Sequence, residues 1–260
     1  MTALRLPTEA GTQSIAYLLV FCRIGGLFAL APIFSGALIP MRAKLVIAAA
    51  LTLALAPIAT NGVKISDDPA WLTAAISKEI VVGLGFAFAV GAVGAAVQAA
   101  ASLLDTLVGF SLASLLDPVT NQQTAILGQL YTLVTTCVFL LTGGDRLMIA
   151  GLADTYRVVP LGTWSGAGPL ASLTGAELGQ VLVIGIELAA PVLITVLLVD
   201  GALALMARAV PQMNVFFVGM PAKIFAALAV VGVSLPFAAA HVQDDLANAV
   251  GFALNSLGTH

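Results

Sequence analysis

Long apolar runs separated by short polar stretches dominate this chain. Six of these runs predict helices, at residues 14–38, 43–59, 71–104, 125–141, 178–206 and 215–240. A helix needs about 20 mostly apolar residues to cross the hydrocarbon layer of a bilayer. The run at 71–104 would form a helix of about 50 Å, which exceeds one straight crossing. The pattern therefore predicts an all-α, membrane-associated protein.

Prolines lie within or beside several of these runs, among them Pro32, Pro57, Pro191, Pro221 and Pro236. Proline removes a backbone donor and disfavours helix just before it. Inside a bilayer the freed backbone groups need partners from neighbouring helices or from water. We therefore expect several kinked, broken or hairpinned helices instead of straight rods.

Small residues recur every four positions in the third run, at Gly83, Ala87, Gly91, Ala95 and Ala99. Such a row lets the backbone of another helix approach closely. The general abundance of alanine and glycine would also produce some row of this kind by chance. Close helix packing is the favoured interpretation.

Composition supports a membrane protein and argues against nucleic-acid binding. Of the 260 residues, 60% are hydrophobic and 9% are charged, against about 25% charged in soluble domains. The net charge is -3 and no basic run exists, so nucleic acid is not an expected partner. Cys22 and Cys137 lie in apolar runs and are predicted to be core residues. Because no compact cleavage site follows the first run, we expect a retained membrane segment.

Cationic residues give no clear orientation. With six alternating segments and the N-terminus inside, five Lys and Arg residues would lie inside and four outside. Short loops normally show a clear positive-inside bias. The balance indicates that the segments do not alternate across a bilayer in the ordinary way.

Motifs for catalysis, cofactors or metal ions are lacking in the sequence. There is no metalloprotease, nucleophile-elbow, phosphate-loop or dinucleotide pattern, and His241 and His260 are the two histidines. Asp145 follows two glycines, as in intramembrane aspartyl proteases, but Thr142 replaces the glycine that motif requires. A solvated turn with a local ion pair is therefore the predicted role of Asp145-Arg146 and of Asp154 with Arg157. The chain is not expected to be an enzyme.

Charged residues within apolar runs leave more than one interpretation open. Arg23 could extend its charge to the interface, form a buried pair or line a pore. Glu187 precedes Pro191 by one helical turn, and Asp200 follows in the same run. Carboxylates beside a broken helix are typical of ion-coupled secondary transporters. A stand-alone transporter that uses Glu187 and Asp200 is therefore the alternative function.

Two further stretches are unusual for a membrane protein. Residues 104–123 mix apolar side chains with Ser, Thr and Asn, and Asp117-Pro118 favours a turn. This stretch is either a loop that fills a channel or an interfacial connector. Residues 200–223 combine charged residues with Pro and Gly, although a mid-bilayer charge costs about 2.5–3.5 kcal/mol. The second stretch is either a kinked span with a snorkelling arginine or a turn between bent helices that are buried against partner subunits.

Specific residues through most of the chain resemble the flagellar biosynthetic protein FliR family, the R subunit of the flagellar type III export gate. The T subunit of virulence secretion systems is homologous to it. The residues that carry the resemblance are Arg23, Gly25, Pro32, Pro40, Pro57, Gly109, Phe110, Asp117, Pro118, Ala190, Pro191, Asp200, Arg208, 211–216, Gly219, Pro221, Lys223 and Ile224. The segment 211–216, Pro-Gln-Met-Asn-Val-Phe, is similar to flagellar more than to virulence-type members. The turn at 143–146 lacks a histidine that is common in the family, and Thr155-Tyr156 replaces a Ser-Phe pair.

The resemblance implies a fold and two groups of site residues. The fold would be kinked helices and helical hairpins in a tilted stack, forming a single integrated unit. Residues 1–123 would be P-like and include a plug loop at about 104–123, and residues 124–260 would include a Q-like hairpin at about 178–240. The implied plug residues are Gly109, Phe110, Ser111, Leu112, Ser114, Leu115, Asp117 and Pro118. The implied assembly contacts are Arg23, Asp200, Arg208, Gln212, Asn214 and Lys223.

The resemblance also implies partners and a location. The P and Q export-gate subunits would join one R-type copy per gate, and the B-type specificity-switch protein would contact it from the cytoplasm. The assembly would lie in the flagellar basal body at the bacterial inner membrane and would pass unfolded flagellar proteins. The chain would act as conduit and scaffold, without catalytic, cofactor-binding or metal-binding residues.

Overall fold

The computed structural model describes residues 7–31, 39–60, 63, 65–66, 68–110, 126–164, 167–212 and 214–258. Over these residues the chain forms seven α-helices and no β-strand. The helices are α1 (Pro7–Leu30), α2 (Met41–Ala59), α3 (Pro69–Val108), α4 (Ile126–Leu141), α5 (Gly144–Val158), α6 (Ala167–Ala209) and α7 (Val215–Gly258). The all-α prediction is confirmed.

Five described helical segments are long and apolar enough to cross a membrane. They are Gly11–Leu30, Met41–Ala59, Pro69–Val108, Leu178–Ala209 and Phe217–Gly258. α4 has 16 residues and is too short alone, so a sixth span is reached only if α4 and α5 count together. α3, α6 and α7 have 40, 43 and 44 residues, about twice the length that one crossing needs.

Several prolines lie inside continuous helices. Pro57 is within α2, Pro191 within α6, and Pro221 and Pro236 within α7. The helices therefore continue through more prolines than the sequence predicts. The polar break near Pro211 does separate α6 from α7, which confirms a turn in the 200–223 stretch.

The region around residues 144–158 corrects the sequence-based interpretation. It forms α5 instead of a solvated turn. The predicted ion pair is present within this helix, with Asp154 Oδ1 3.0 Å from Arg157 Nη1, and both side chains are exposed. The opposite face of α5 is buried, including Met148, Leu152 and Tyr156. The charged residues that favoured a turn lie on the polar face of an amphipathic helix.

The contacts divide the chain into two compact units. The first contains Met1–Ala92, Gly143–Leu178 and Leu246–His260, and the second contains Val93–Thr142 and Gly179–Asp245. The first unit therefore includes α1, α2 and α5, and the second includes α4. The predicted P-like and Q-like parts, divided after residue 123, stay a prediction.

In the first unit, α1 lies directly against the small-residue row of α3. A β-carbon at Gly83 would overlap the carbonyl oxygen of Arg23, and one at Gly91 would lie 3.3 Å from the carbonyl oxygen of Leu30. Ala87, between these glycines, is fully buried. Close helix packing is confirmed for this part of the row.

The same row loses its buried face towards its C-terminal end, where Ala95 and Ala99 are exposed. An α-helix has 3.6 residues per turn, so each four-residue step moves about 40° around the axis. Residues spaced by four consequently leave one contact face after two or three steps. Close packing within this chain is therefore not seen at Ala95 and Ala99, and packing there against a partner stays a prediction.

Candidate functional site

A buried charge cluster surrounds Arg23 in the first unit. Arg23 Nε donates to Glu79 Oε2 at 2.6 Å, Nη1 donates to Thr155 Oγ1 at 3.2 Å, and Nη2 donates to the carbonyl oxygen of Val159 at 3.0 Å. The Arg23 and Glu79 side chains are 0% and 1% exposed. Of the three possibilities for Arg23, the buried pair is confirmed and extension to the interface is wrong.

Glu79 and Tyr156 make further contacts in this cluster. Glu79 Oε1 accepts a hydrogen bond from the Gly162 amide at 2.8 Å. The Arg23 guanidinium lies 4.3 Å from the centre of the Tyr156 ring, and the Tyr156 hydroxyl donates to the carbonyl oxygen of Val20 at 3.3 Å. Buried ions are tolerated when their hydrogen bonds are complete, and the aromatic face adds an electrostatic attraction. The cluster ties α1, α3, α5 and the segment after α5 together.

Glu79 is not among the site residues that the sequence predicts. Its signal is a carboxylate inside the apolar run 71–104, and ionisable residues in such runs usually have a partner. The Arg23 side chain is used entirely inside this chain. The assembly contact predicted for Arg23 stays a prediction, and because the side chain is buried, it would act by holding α1 and α3 in place.

Of the predicted plug loop at about 104–123, the structure describes residues 104–110, and 104–108 belong to α3 instead of a loop. α3 ends at Val108, and Gly109 follows with φ of 100°, which a glycine adopts without steric cost. The Phe110 amide donates to the carbonyl oxygen of Asp105 at 3.0 Å and so closes the helix end. The other predicted plug residues lie outside the described residues: Ser111, Leu112, Ser114, Leu115, Asp117 and Pro118.

Asp105 connects this end of α3 to the start of α4. Its Oδ1 accepts from the Leu127 amide at 2.9 Å and its Oδ2 accepts from the Gly128 amide at 3.1 Å. The residue is 4% exposed. Amides in the first turn of a helix lack partners within that helix, and the positive end of the helix dipole favours a carboxylate. Asp105 lies in the 104–123 stretch of the sequence, but it is not among the predicted plug residues.

Two of the predicted assembly residues, Asp200 and Lys223, form an ion pair between α6 and α7. Asp200 Oδ2, on α6, lies 2.8 Å from Lys223 Nζ, on α7. The side chains are 47% and 18% exposed, respectively. Arg208 and Gln212 are exposed beyond this pair, so the turn between the helices presents polar groups outward.

Asn214 has a local role at the start of α7. Its Oδ1 accepts from the Phe217 amide at 3.4 Å, while its own carbonyl oxygen accepts from the same amide at 3.1 Å. A polar side chain at this position typically caps a helix N-terminus. Asn214 is also exposed, so capping leaves the predicted assembly contact untested.

The carboxylates of the transporter alternative do not share a site. Glu187 and Asp200 are both on α6, and 13 residues of helix separate their α-carbons by about 20 Å. Asp200 is paired with Lys223. Glu187 instead lines an open cavity of about 330 Å³, together with Pro191, His241 and Asp245. Two coupling groups acting together are therefore not found in this arrangement.

Cysteines and metal-ligating residues offer no further candidate in the described ranges. Neither cysteine is in a disulfide; Cys22 is half-buried and Cys137 is exposed. The core assignment is therefore wrong for Cys137. This residue lies in α4, where Leu133, Leu140 and Leu141 are exposed as well. Among the residues whose positions are described, no group of three or more His, Cys, Asp or Glu is placed to hold a metal ion.

These features define a multi-helix membrane protein whose innermost charges are satisfied within the chain. Residues 14–249 match the family model described as "Bacterial export proteins, family 1", and the chain belongs to this family. The resemblance seen in the sequence is confirmed.

Relatives of two kinds match over most of their length. The flagellar biosynthetic protein FliR of Bacillus subtilis (strain 168) is 30% identical over 212 residues, covering 80% of this chain and 82% of the relative. FliR of Escherichia coli (strain K12) is 28% identical over 223 residues, covering 84% and 83%. Yop proteins translocation protein T of Yersinia pestis is 30% identical over 212 residues, covering 80% and 81%. Similarity thus extends to flagellar and virulence-type members.

Proposed function

We propose that this chain is the R-type subunit of a flagellar type III export gate in the bacterial inner membrane. The observation that carries this proposal is the family match over residues 14–249, together with relatives named as flagellar biosynthetic proteins over four fifths of the chain. The five apolar helices long enough to cross a membrane are compatible with this location. The chain acts as conduit and scaffold, and the translocated substrates are unfolded flagellar proteins.

Assembly with other subunits accounts for the outward-facing apolar side chains of the hairpin. Leu198 and Leu205 on α6 are 69% and 72% exposed, and Phe217 and Phe225 on α7 are both 76% exposed. Side chains of this size require cover by lipid or by protein. P-type and Q-type subunits cover part of this surface, with one R-type copy per gate, and the B-type specificity-switch protein binds from the cytoplasmic side.

Co-purification tests the assembly. Pull-down of the tagged chain from membranes, followed by identification of bound proteins, recovers P-type and Q-type subunits in a large hetero-oligomer if the proposal holds. A stable monomer or homodimer without them contradicts it and favours the stand-alone transporter. In that case substitution of Glu187 or Asp200 abolishes ion-coupled transport.

The connection at 109–123 seals the gate in its closed state. A closed gate must block small ions and still pass a polypeptide when open. The Ser- and Leu-rich sequence of this connection can seal by packing, and its few charges would bind a passing chain weakly. The division into a P-like part ending at residue 123 and a Q-like hairpin at 178–240 belongs to the same proposal.

Shortening the connection at 109–123 is expected to make the gate leak ions. The measurement is ion conductance through reconstituted complexes that contain either the full-length or the shortened chain. An equal shortening within 61–67, between α2 and α3, is the control and should leave conductance low. If the shortened 109–123 complex assembles and conducts no more than the full-length one, the plug assignment is wrong.

A further inference from the structure

One residue holds both ends of the connection between α3 and α4. The carbonyl oxygen of Asp105 accepts from the amides of Gly109 and Phe110, at 3.2 and 3.0 Å, where α3 ends. Its carboxylate oxygens accept from the amides of Leu127 and Gly128, where α4 begins. The end of α3 and the start of α4 are therefore both bonded to the same residue.

We propose that Asp105 is a positioning residue that clasps the end of α3 to the start of α4. The functional part of this inference rests on the proposed sealing role of the connection, whereas the clasp itself rests on the contacts of Asp105. Hydrogen bonds to a charged acceptor are stronger than neutral ones, and α4 directs its positive end at this carboxylate.

Sequence separation distinguishes this contact from ordinary helix capping. A capping side chain normally belongs to the residue just before the helix. Asp105 lies 22 and 23 residues before the two amides that it binds, so its loss separates the start of α4 from the end of α3 as well as uncapping α4. Holding together residues this far apart in the sequence carries an entropic cost, which the two hydrogen bonds offset.

The surroundings keep water away from the clasp. Asp105 is 4% exposed, and Leu104, Val108 and Leu127 beside it are 0%, 0% and 1% exposed. Water therefore cannot readily replace the carboxylate as acceptor for the two amides. Removing the carboxylate leaves buried donors without a partner, which is more costly than losing a surface bond.

Amide hydrogen exchange tests the clasp in the assembled, full-length protein. Asp105→Ala removes both acceptors, and Asp105→Asn retains one oxygen with nearly the same shape. We expect the Leu127 and Gly128 amides to exchange about tenfold faster in Asp105→Ala, from the usual range for loss of a cap, and to an intermediate extent in Asp105→Asn. Thr106→Ala is the matched control, because Thr106 is exposed on the same turn and bonds within α3.

Each outcome bears on the clasp. Faster exchange confined to the start of α4, in the order Ala, Asn, native, supports it. Unchanged exchange at Leu127 and Gly128 overturns it, and so does an equal rise over the whole chain or an equal effect of Thr106→Ala. If Asp105→Ala does not fold, Asp105→Asn alone decides between these results.

Ion conductance of the same complexes separates the clasp from the proposed sealing role. If ion conductance rises together with amide exchange at Leu127 and Gly128, both the clasp and the sealing role of 109–123 are supported. A local rise in exchange without leak keeps the clasp and contradicts the sealing role of 109–123.

Discussion

Arg23 is charged and completely enclosed, at 0% exposure, within a chain in which 60% of residues are hydrophobic. Its position is possible because three guanidinium nitrogens have acceptors and Glu79 supplies the opposite charge. Removing one member of such a pair leaves the other charge buried without compensation. Loss of one residue alone is therefore expected to destabilise the fold more than loss of both together.

Replacement of one member of the pair, by Arg23→Met or Glu79→Met, is expected to destabilise the fold by about 3–5 kcal/mol. The double variant should lie closer to the native protein than either single variant, because no unpaired charge remains. The measurement is the unfolding midpoint of the detergent-purified protein. Asp154→Ala, in an exposed pair, is the control and should cost no more than about 1 kcal/mol. Single variants as stable as this control would refute the dependence.

At the scale of helices, the sequence predicts most elements but omits α5. Its buried residues Met148, Leu152, Thr155 and Tyr156 follow helical spacing, so the signal is present. Asp145, together with the charged residues after it, favours a solvated turn when the charges are considered first. The spacing of the apolar residues alone predicts a single amphipathic helix here.

The close contact between α1 and α3 predicts that a larger residue at Gly83 lowers the stability of the protein. Gly83→Ala should destabilise the protein by about 1–3 kcal/mol, because the added β-carbon meets the Arg23 carbonyl oxygen and forces the two helices apart. Gly25→Ala is the matched control, since a β-carbon there has no neighbour within 4 Å. The control should be neutral or stabilising, because alanine favours helix more than glycine does.

Thermal unfolding of the two alanine variants, measured side by side, decides this point. Equal stability of Gly83→Ala and Gly25→Ala would show that α1 and α3 do not need their close approach. A loss in Gly83→Ala alone would show that the small-residue row acts through contact with α1 and not through composition.

At the scale of the whole molecule, the sequence predicts the class and the family but not which distant residues meet. Arg23 and Asp200 are both recognisable as unusual charges. Their partners, Glu79 and Lys223, lie 56 and 23 positions away, and no local periodicity joins them. Such pairings depend on how helices pack, so they follow from three-dimensional structure alone.

The ion pair between α6 and α7 allows a test of assembly. Asp200→Ala should reduce recovery of P-type and Q-type subunits in pull-down experiments if Asp200 contributes to assembly, as should Arg208→Ala. The double variant Asp200→Lys/Lys223→Asp keeps opposite charges at the two positions, which form a 2.8 Å pair in the native chain, but reverses the charges offered to a partner. Because the pair is partly exposed, its own contribution to folding is expected to be below about 1 kcal/mol.

The charge exchange separates two roles of this pair. Full assembly of the exchanged variant would mean that the pair joins α6 to α7 and nothing else. Lost assembly with unchanged unfolding behaviour would mean that a partner senses the charges directly. Assembly that persists in all variants while export stops would instead favour a role along the export path.

The enclosed position of Arg23 also has a consequence during synthesis on the ribosome. Its acceptor at Val159 is 136 residues further along the chain, and at about 5–20 residues per second this residue is made roughly 7–27 s later. Glu79 arrives earlier, 56 residues after Arg23. A nascent chain therefore lacks two of the acceptors of Arg23 until Thr155 and Val159 have been made, and a chain truncated before α5 never gains them.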